Sequence, residues 1–331
     1  MPLTRLRTFR NTDPPRLASL WNRGLPTIAV ARPLAAHEFD SLVLDKPHFD
    51  PAGLLVAEDD AGHVIGFAHA GFGPLDPCGE VRGRDTELGV MAMFVVDEER
   101  MDSDAEDALW LSAEQYLRSR GATVLYAGGQ YPVNPFYWGI YGGSEYAGIL
   151  SSHVAFHRVA LRMGYEPTST TAVLEANLSE PEPRDPRVAA LRRQVRLDVD
   201  EDSWLDCWWD AAAIGAYRPT TYRLRPRNDE TELASAITWD MDGFSRLDGR
   251  TRLGLIDVEV PHEQRRKGYG RFLVREIMRE ARNRMIDILC VQTTSTNHPA
   301  LALYESIGFH RLETATLYRL PADKMGRSTP H

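Results

Sequence analysis

The chain repeats itself. "HVAFHRVALRMGYEPTSTTAVLEANL", residues 153–178, lies over "NHPALALYESIGFHRLETATLYRL", residues 297–320, when Gly164 is set on Gly308, an offset of 144. Upstream, "MAMFVVDEER" followed by the helical "DALWLSAEQYLRSRG" mirrors "IDVEVPHEQRR" followed by "GRFLVREIMREARNR", at an offset of 165. Self-similarity at a fixed distance marks a duplicated unit. The change of offset leaves about 21 extra residues in the first copy, within the aromatic and glycine-rich stretch 128–152. A duplication with one insertion explains 331 residues better than one oversized domain would, because single cores stop growing near about 250–300 residues. Between the copies, "NLSEPEPRDPRVAAL" sets three prolines among charges, and proline neither continues a helix nor donates within a central strand. The expected organisation is a first unit over 1–178, a linker over 179–190, a second unit over 191–322 and a tail over 323–331.

The second unit is the more legible. "RLRPRN", "ELASAITWDMDGF" and "TRLGLIDVEV" are strand-like and separated by short polar or glycine-containing turns, which suits an antiparallel meander. After the loop "EQRRKGYG", Leu273, Val274, Ile277, Met278 and Ala281 recur at the spacing of a helix that packs one face on a sheet. "IDILCVQT" then predicts a buried strand, "PALALYESIG" a short helix, and "FHRLETATLYRL" a closing strand.

The loop between strand and helix carries the chemistry. A helix that opens directly from a glycine-rich turn leaves its first N–H groups unpaired, with the positive end of its dipole behind them. Such a turn is a seat for an anion, a phosphate above all. Gly268 and Gly270 let the backbone approach the ligand, and Arg265, Arg266, Lys267 and Arg271 add long-range attraction. This local cluster stands out in a chain of formal net charge -9, whose acidic balance disfavours nonspecific nucleic-acid binding.

"VEVPHEQRRKGYG" resembles the acetyl-CoA signature of the GNAT superfamily of acyl-CoA-dependent N-acyltransferases, with Arg265, Gly268 and Gly270 in its defining positions. "TSTNHPALALYESIGF", about thirty residues on, resembles the second signature of the same family. The resemblance covers roughly 195–320 well and 1–178 only in outline. It implies an α/β (α+β) fold of two GNAT-like domains, each a mixed, mostly antiparallel sheet flanked by helices. It also implies that the amides and side chains of Arg266, Lys267, Gly268, Tyr269, Gly270 and Arg271, with Arg265, hold the pyrophosphate of acetyl-CoA. Val258 and Val260 would bond the pantetheine arm through exposed backbone, and Asn297 would hold it too. Tyr304 would protonate the departing thiolate.

Attack by an amine also requires a base, since an amine of pKa near 10 is charged at pH 7. With Val258 and Val260 facing the helix, strand alternation sets Asp257 and Glu259 together on the opposite face, towards an arriving substrate. Either could serve, and Glu259 is nearer the loop. The expected activity is acetyl or short-acyl transfer from acetyl-CoA to a small-molecule or protein amine in a ternary complex. The alternatives are a non-catalytic coenzyme A-binding module and an acyltransferase of thiol or antibiotic metabolism.

The first copy breaks the pattern. Arg265, Gly268 and Gly270 fall on Arg100, Ser103 and Ala105 among repeated carboxylates, and Asn297 and Tyr304 fall on His153 and Ala160. It reads as a degenerate GNAT-like domain without catalysis. Its aromatic insertion suits either a cover for its own sheet or a wall of the neighbouring cleft, and is compatible with a homodimer. His153 and His157 lack a third ligand and read as surface or packed histidines; no metal is expected. Trp208 and Trp209 read as packing residues. The three cysteines show no ligand spacing and read as reduced structural thiols. No apolar run reaches membrane-spanning length, and the N-terminal stretch lacks an apolar signal core, so a cytoplasmic protein is expected.

Overall fold

The computed structural model describes residues 4–24, 35–130, 143–180, 186–241 and 248–325. Most of the aromatic part of the insertion, 131–142, and five residues of the linker, 181–185, therefore lie outside the described residues. The fold is mixed α/β, with a large, mostly antiparallel sheet flanked by helices. The first half supplies strands β1 (Arg5–Thr8), β2 (Leu54–Glu58), β3 (Val64–Pro74), β4 (Arg84–Val96), β5 (Val124–Ala127), β6 (Ile149–Leu150) and β7 (Glu166–Asn177). Its helices are α1 (Pro14–Gly24), α2 (Ala36–Phe39), α3 (Ser103–Ser119) and α4 (Val154–Arg162). A short helix α5 (Pro186–Leu191) occupies the end of the expected linker.

The second half supplies β8 (Val195–Asp200), α6 (Trp208–Ile214), β9 (Thr220–Pro226), β10 (Ala234–Asp240), β11 (Arg252–Glu259), α7 (Tyr269–Asn283), β12 (Ile288–Thr294), α8 (His298–Glu305) and β13 (His310–Arg319). β9 to β11 form the expected antiparallel meander, β8 adds a further strand beside β9, and β12 is parallel to β11. The internal repeat is also a structural one: α4 and α8, and β7 and β13, begin 144 residues apart.

The halves do not keep separate sheets. Among the described residues the strands run in one order, β1-β2-β3-β4-β5-β13-β7-β12-β11-β10-β9-β8, with β6 beside β13. The closing strand of each half lies in the other half's sheet: β7 pairs with β12 from Asn177↔Ile288 to Thr171↔Thr294, and β13 pairs with β5. β7 and β13 pair with each other from His310↔Glu175 to Arg319↔Glu166. Each half alone would expose a row of unpaired N–H and C=O groups, and the exchange satisfies both edges.

Alternation along the strands sorts the core into two faces. Leu54 and Val56 join one cluster, shared by Leu17 and Trp21 of α1, Phe39 of α2, and Ala213 and Ile214 of α6. Leu55 and Ala57 join a cluster under α3 and α4, while Leu253, Leu255, Leu289 and Val291 pack under α7 and α8. The predicted stripe of α7 is buried throughout, from Leu273 at 0% to Met278 at 3% exposure.

Helix α6 belongs to the second half by sequence but is pinned to the first. Cys78 and Cys207 form a disulfide across 129 residues, which corrects the expectation of reduced thiols; Cys290 alone keeps its thiol, and it is buried. Trp208 Nε1 donates to Asp76 O at 2.7 Å, and Lys46 Nζ donates to the α6 carbonyls of Ala212 and Ala213. Trp209 is fully buried, in keeping with a packing role. Breaking the bridge with dithiothreitol, or by Cys207→Ser, is expected to lower the unfolding free energy by about 2–4 kcal/mol. Urea unfolding of the oxidised and reduced protein measures this, and coincident midpoints would show that the bridge adds no stability.

Candidate active site

Strand β11 is bent where it enters the site. Ile237↔Ile256 and Ser235↔Glu259 both pair, so two steps on β10 are matched by three on β11. The extra residue sits at Asp257, whose φ of +50° is a conformation that non-glycine residues seldom adopt. On the other side the parallel register with β12 runs only as far as Leu255↔Val291. Past that point the backbone of 258–260 is not paired to β12, and Val258 and Val260 lean against the α7–α8 core.

The chain then turns sharply through two left-handed residues, Arg266 (φ 66°) and Gly268 (φ 88°), into α7. Alternating left-handed residues point successive N–H groups inward as a nest for an anion. Gly268 is the N-cap, has no side-chain cap, and stands 3.7 Å (at the site of an added Cβ) from its nearest neighbour, Leu191 Cδ1. Among the described residues, the N–H groups of 266–271 have no hydrogen-bond partner. At Gly270 a Cβ would lie 3.2 Å from Val260 Cγ2, so the helix start packs tightly on the strand. The corresponding α3 is closed: its N-cap Asp102 lays a carboxylate oxygen 2.9 Å from Ala105 N, with Asp104 and Glu106 in the first turn.

This open mouth gives onto a cleft of about 1150 Å³. Val258, Glu259, Val260, Arg265, Arg266, Gly268, Tyr269, Gly270, Arg271, Asn297 and Tyr304, all singled out from sequence, line it. Lys267 does not line it, its Nζ being held 3.0 Å from Gln264 Oε1. Arg265 Nε donates to Val260 O, and Arg271 Nη2 donates to Ser306 O, so both guanidinium groups are positioned by backbone carbonyls. Asn297 caps α8, its Oδ1 accepting from Ala300 N and its Nδ2 donating to Thr293 Oγ1. Tyr304 is 5% exposed, with its ring against Phe309. Burial, then the nearby Glu145, raises its pKa, so the hydroxyl holds its proton at neutral pH.

Asp257 does not line the cleft. The residue as a whole is exposed, while the protein around its carboxyl and then Glu259 raise its pKa. Asp210 of α6 is pushed up to about 6 by burial and by Asp257. Glu145, from the segment after the insertion, is pushed up to about 8 by burial, Asp257 and Asp210. Neither Glu145 nor Asp210 lies near the site along the chain, belongs to a motif or lines the cleft. Elsewhere, His153 is buried and its pKa pressed down to about 3 by burial and His157, while His157 bonds Tyr318 and the Leu150 carbonyl. Both are packed histidines. Among the described residues no group of three or more His, Cys, Asp or Glu could hold a metal, and no helix is long and apolar enough to cross a membrane.

An unplugged helix mouth thus stands beside a bulged, partly unpaired strand. Residues 176–309 match the model of the "Acetyltransferase (GNAT) family". No curated protein matches. Among solved structures, the fold is similar to a glucosamine N-acetyltransferase region of a fungal multi-domain GH3 β-N-acetylglucosaminidase (TM-score 0.67, 16% identity, covering 96% of this chain and 38% of that one). It is also similar to a GCN5-related N-acetyltransferase from Sphaerobacter thermophilus (0.65, 14%, 96% and 95%). A tandem GNAT protein from the clavulanic acid biosynthesis pathway is comparable over both chains (0.64, 15%, 99% and 100%). At these identities the likeness is one of fold.

Proposed function

We propose that the protein is an N-acetyltransferase that moves an acetyl or other short acyl group from coenzyme A to an amine by direct attack in a ternary complex. The observation that carries this reading is the unpaired mouth of α7, opening onto a cleft that ends at Tyr304. Free amides and fixed guanidinium groups fit a diphosphate, and the unpaired edge of β11 fits an amide-bearing arm. The amides of 266–271, with Arg265, Arg266 and Arg271, hold the diphosphate. Lys267 adds attraction from a distance. The Val258 and Val260 backbone and Asn297 hold the arm. When bound, acetyl-CoA supplies an acyl group on a thioester.

The residues of the chain do the rest. Seating both reactants in one cleft replaces a bimolecular encounter by a local one. The Tyr304 hydroxyl keeps a proton for the departing sulfur. A carboxylate at the bulge takes the ammonium proton, with Asp257 and Glu259 the candidates named by strand alternation. The first half, its α3 mouth closed by Asp102, is silent and supports the second. The resemblance to a glucosamine N-acetyltransferase region supports an amine as acceptor. A coenzyme A-binding module without turnover is the second reading, and the protonated Tyr304 at the end of the cleft favours the enzyme.

Coenzyme A is expected to raise the melting temperature, since a ligand bound only by the folded state stabilises it. Acetyl-CoA with a panel of amines is expected to release thiol. No thermal shift would remove the coenzyme A assignment, and a shift without thiol release from any amine would leave the binding module.

A further inference from the structure

We infer that the Cys78–Cys207 bridge is a thiol-exchange site, open to an external dithiol at Cys78, and that its reduction frees α6 from the first half and slows acyl transfer while leaving the anion seat intact. The exchange stands apart from the acyl-transfer reading; only its effect on rate rests on that reading.

Three cysteines allow one disulfide, so this bridge is the single covalent tie between the halves other than the main chain. Its ends are unequal. Cys78 is exposed in the turn joining β3 to β4, whereas Cys207 is half-buried at the start of α6. The turn is folded so as to present Cys78. Leu75 N donates to Gly83 O at 2.9 Å, and Asp76 lies so close over Gly79 that a Cβ there would collide with its carboxylate. A disulfide opens to a thiolate that can reach one of its sulfurs, so the exposed end is the point of attack. Cys290, at 0% exposure, is shielded from the same reagent.

The segment 201–219, which carries α6, leaves the sheet after β8 and returns to it at β9. Holding such an excursion against the other half costs chain entropy, and a cross-link offsets that cost by constraining the open state. Two hydrogen bonds accompany the bridge at the start of α6: Trp208 Nε1 donates to Asp76 O, and Trp209 N donates to Pro77 O at 3.3 Å. The first is exposed, so water competes for it and its net contribution is small.

α6 packs on the face of the sheet away from α7. Its Ala213 and Ile214 are buried in one cluster with Trp239 of β10 and Ile256 of β11. Tyr217, just past α6, sets its ring 5.9 Å from that of Trp239. Trp239 in turn lies across β11 at Gly254, where a Cβ would stand 2.6 Å from its Nε1. Ile256 immediately precedes the bulge at Asp257 and the backbone of 258–260 that is not paired to β12. Loosening α6 therefore loosens the face of β11 that shapes the bulge. α7 is packed by a different cluster, with Leu273 and Ile277, so its open mouth keeps its shape.

A dithiol supplies both electrons. Its first thiolate attacks Cys78 Sγ, the S–S bond breaks, and Cys207 Sγ leaves with the electron pair and takes a proton from water. The second thiolate attacks the reagent's own sulfur in the mixed disulfide, closing a disulfide in the reagent and releasing Cys78, which is protonated in turn. The protein bridge is reduced and the dithiol oxidised.

The test uses the full-length protein, oxidised or treated with dithiothreitol, beside Cys78→Ser and Cys207→Ser as two further routes to the unbridged state. Native treatment followed by iodoacetamide should label Cys78 and Cys207 but not Cys290, read by peptide mass spectrometry. Amide hydrogen exchange should quicken over 75–83 and 208–214 and stay unchanged over α7, and both variants should match the reduced wild type. Coenzyme A should bind the oxidised and reduced forms alike. After removal of the reagent, kcat/KM for the amine, followed as acylated product, should be lower in the reduced form by about 2- to 30-fold and recover on reoxidation. Labelling of Cys290 in step with the other two would mean that the bridge opens only when the protein unfolds, and overturns the inference. Unchanged exchange over α6, equal quickening over α7, or equal rates in the two forms overturns it as well. If neither form binds coenzyme A or acylates an amine, the acyl-transfer reading falls instead, and labelling with hydrogen exchange still decides the exchange site.

Discussion

Gly268→Glu is expected to weaken coenzyme A binding by about 100- to 1,000-fold, and a titration of coenzyme A into the variant measures it. Two effects add. A side chain at φ 88° is strained by about 1–2 kcal/mol. A carboxylate at the N-cap would also occupy the amides that the proposed diphosphate needs, as Asp102 does on α3. Gly268→Ala separates the two, since it carries the strain without the charge. It should lose about tenfold, corresponding to about 1.4 kcal/mol. The fold should tolerate both, because nothing lies within 3.7 Å of an added Cβ. An unchanged affinity in Gly268→Glu would show that the anion seat lies elsewhere.

Tyr304→Phe should lower kcat by about 10- to 100-fold while leaving the affinity for coenzyme A nearly intact. The lower end of general-acid effects applies because a thiolate is already a fair leaving group. The substitution is clean: no described residue hydrogen-bonds the hydroxyl, so its loss strands no partner, and the ring keeps its place against Phe309. Because burial and Glu145 hold the Tyr304 pKa above its ordinary value, the proton is present at every ordinary assay pH. Tyr304 should therefore give no basic limb to the profile. Steady-state kinetics with an amine acceptor, beside a binding titration, check this. An unaltered kcat would remove Tyr304 from the chemistry.

The C-terminal meander, the α7 stripe, the glycine turn and the α8 signature were legible because each is local. A buried helix face recurs every three or four residues, a strand alternates, and a left-handed turn needs glycine within a fixed frame. The turn placed Arg265, Gly268 and Gly270 in the cleft from local pattern alone, whereas Asn297 and Tyr304 were named by the resemblance to the GNAT signatures. Asp257 was harder. Alternation placed it opposite Val258, but the bulge at Asp257 is a mismatch between two strands, and one strand's sequence does not contain its partner's count.

By itself, then, the sequence determined the duplication, the helix mouth left open in one copy and closed by acids in the other, and the residues around it. Only the tertiary structure decided that β7 and β13 change places and that Cys78 meets Cys207. The reason is that periodicity reports which side of an element is buried, whereas the choice of what it is buried against is made by edge hydrogen bonds and core packing between segments more than a hundred residues apart.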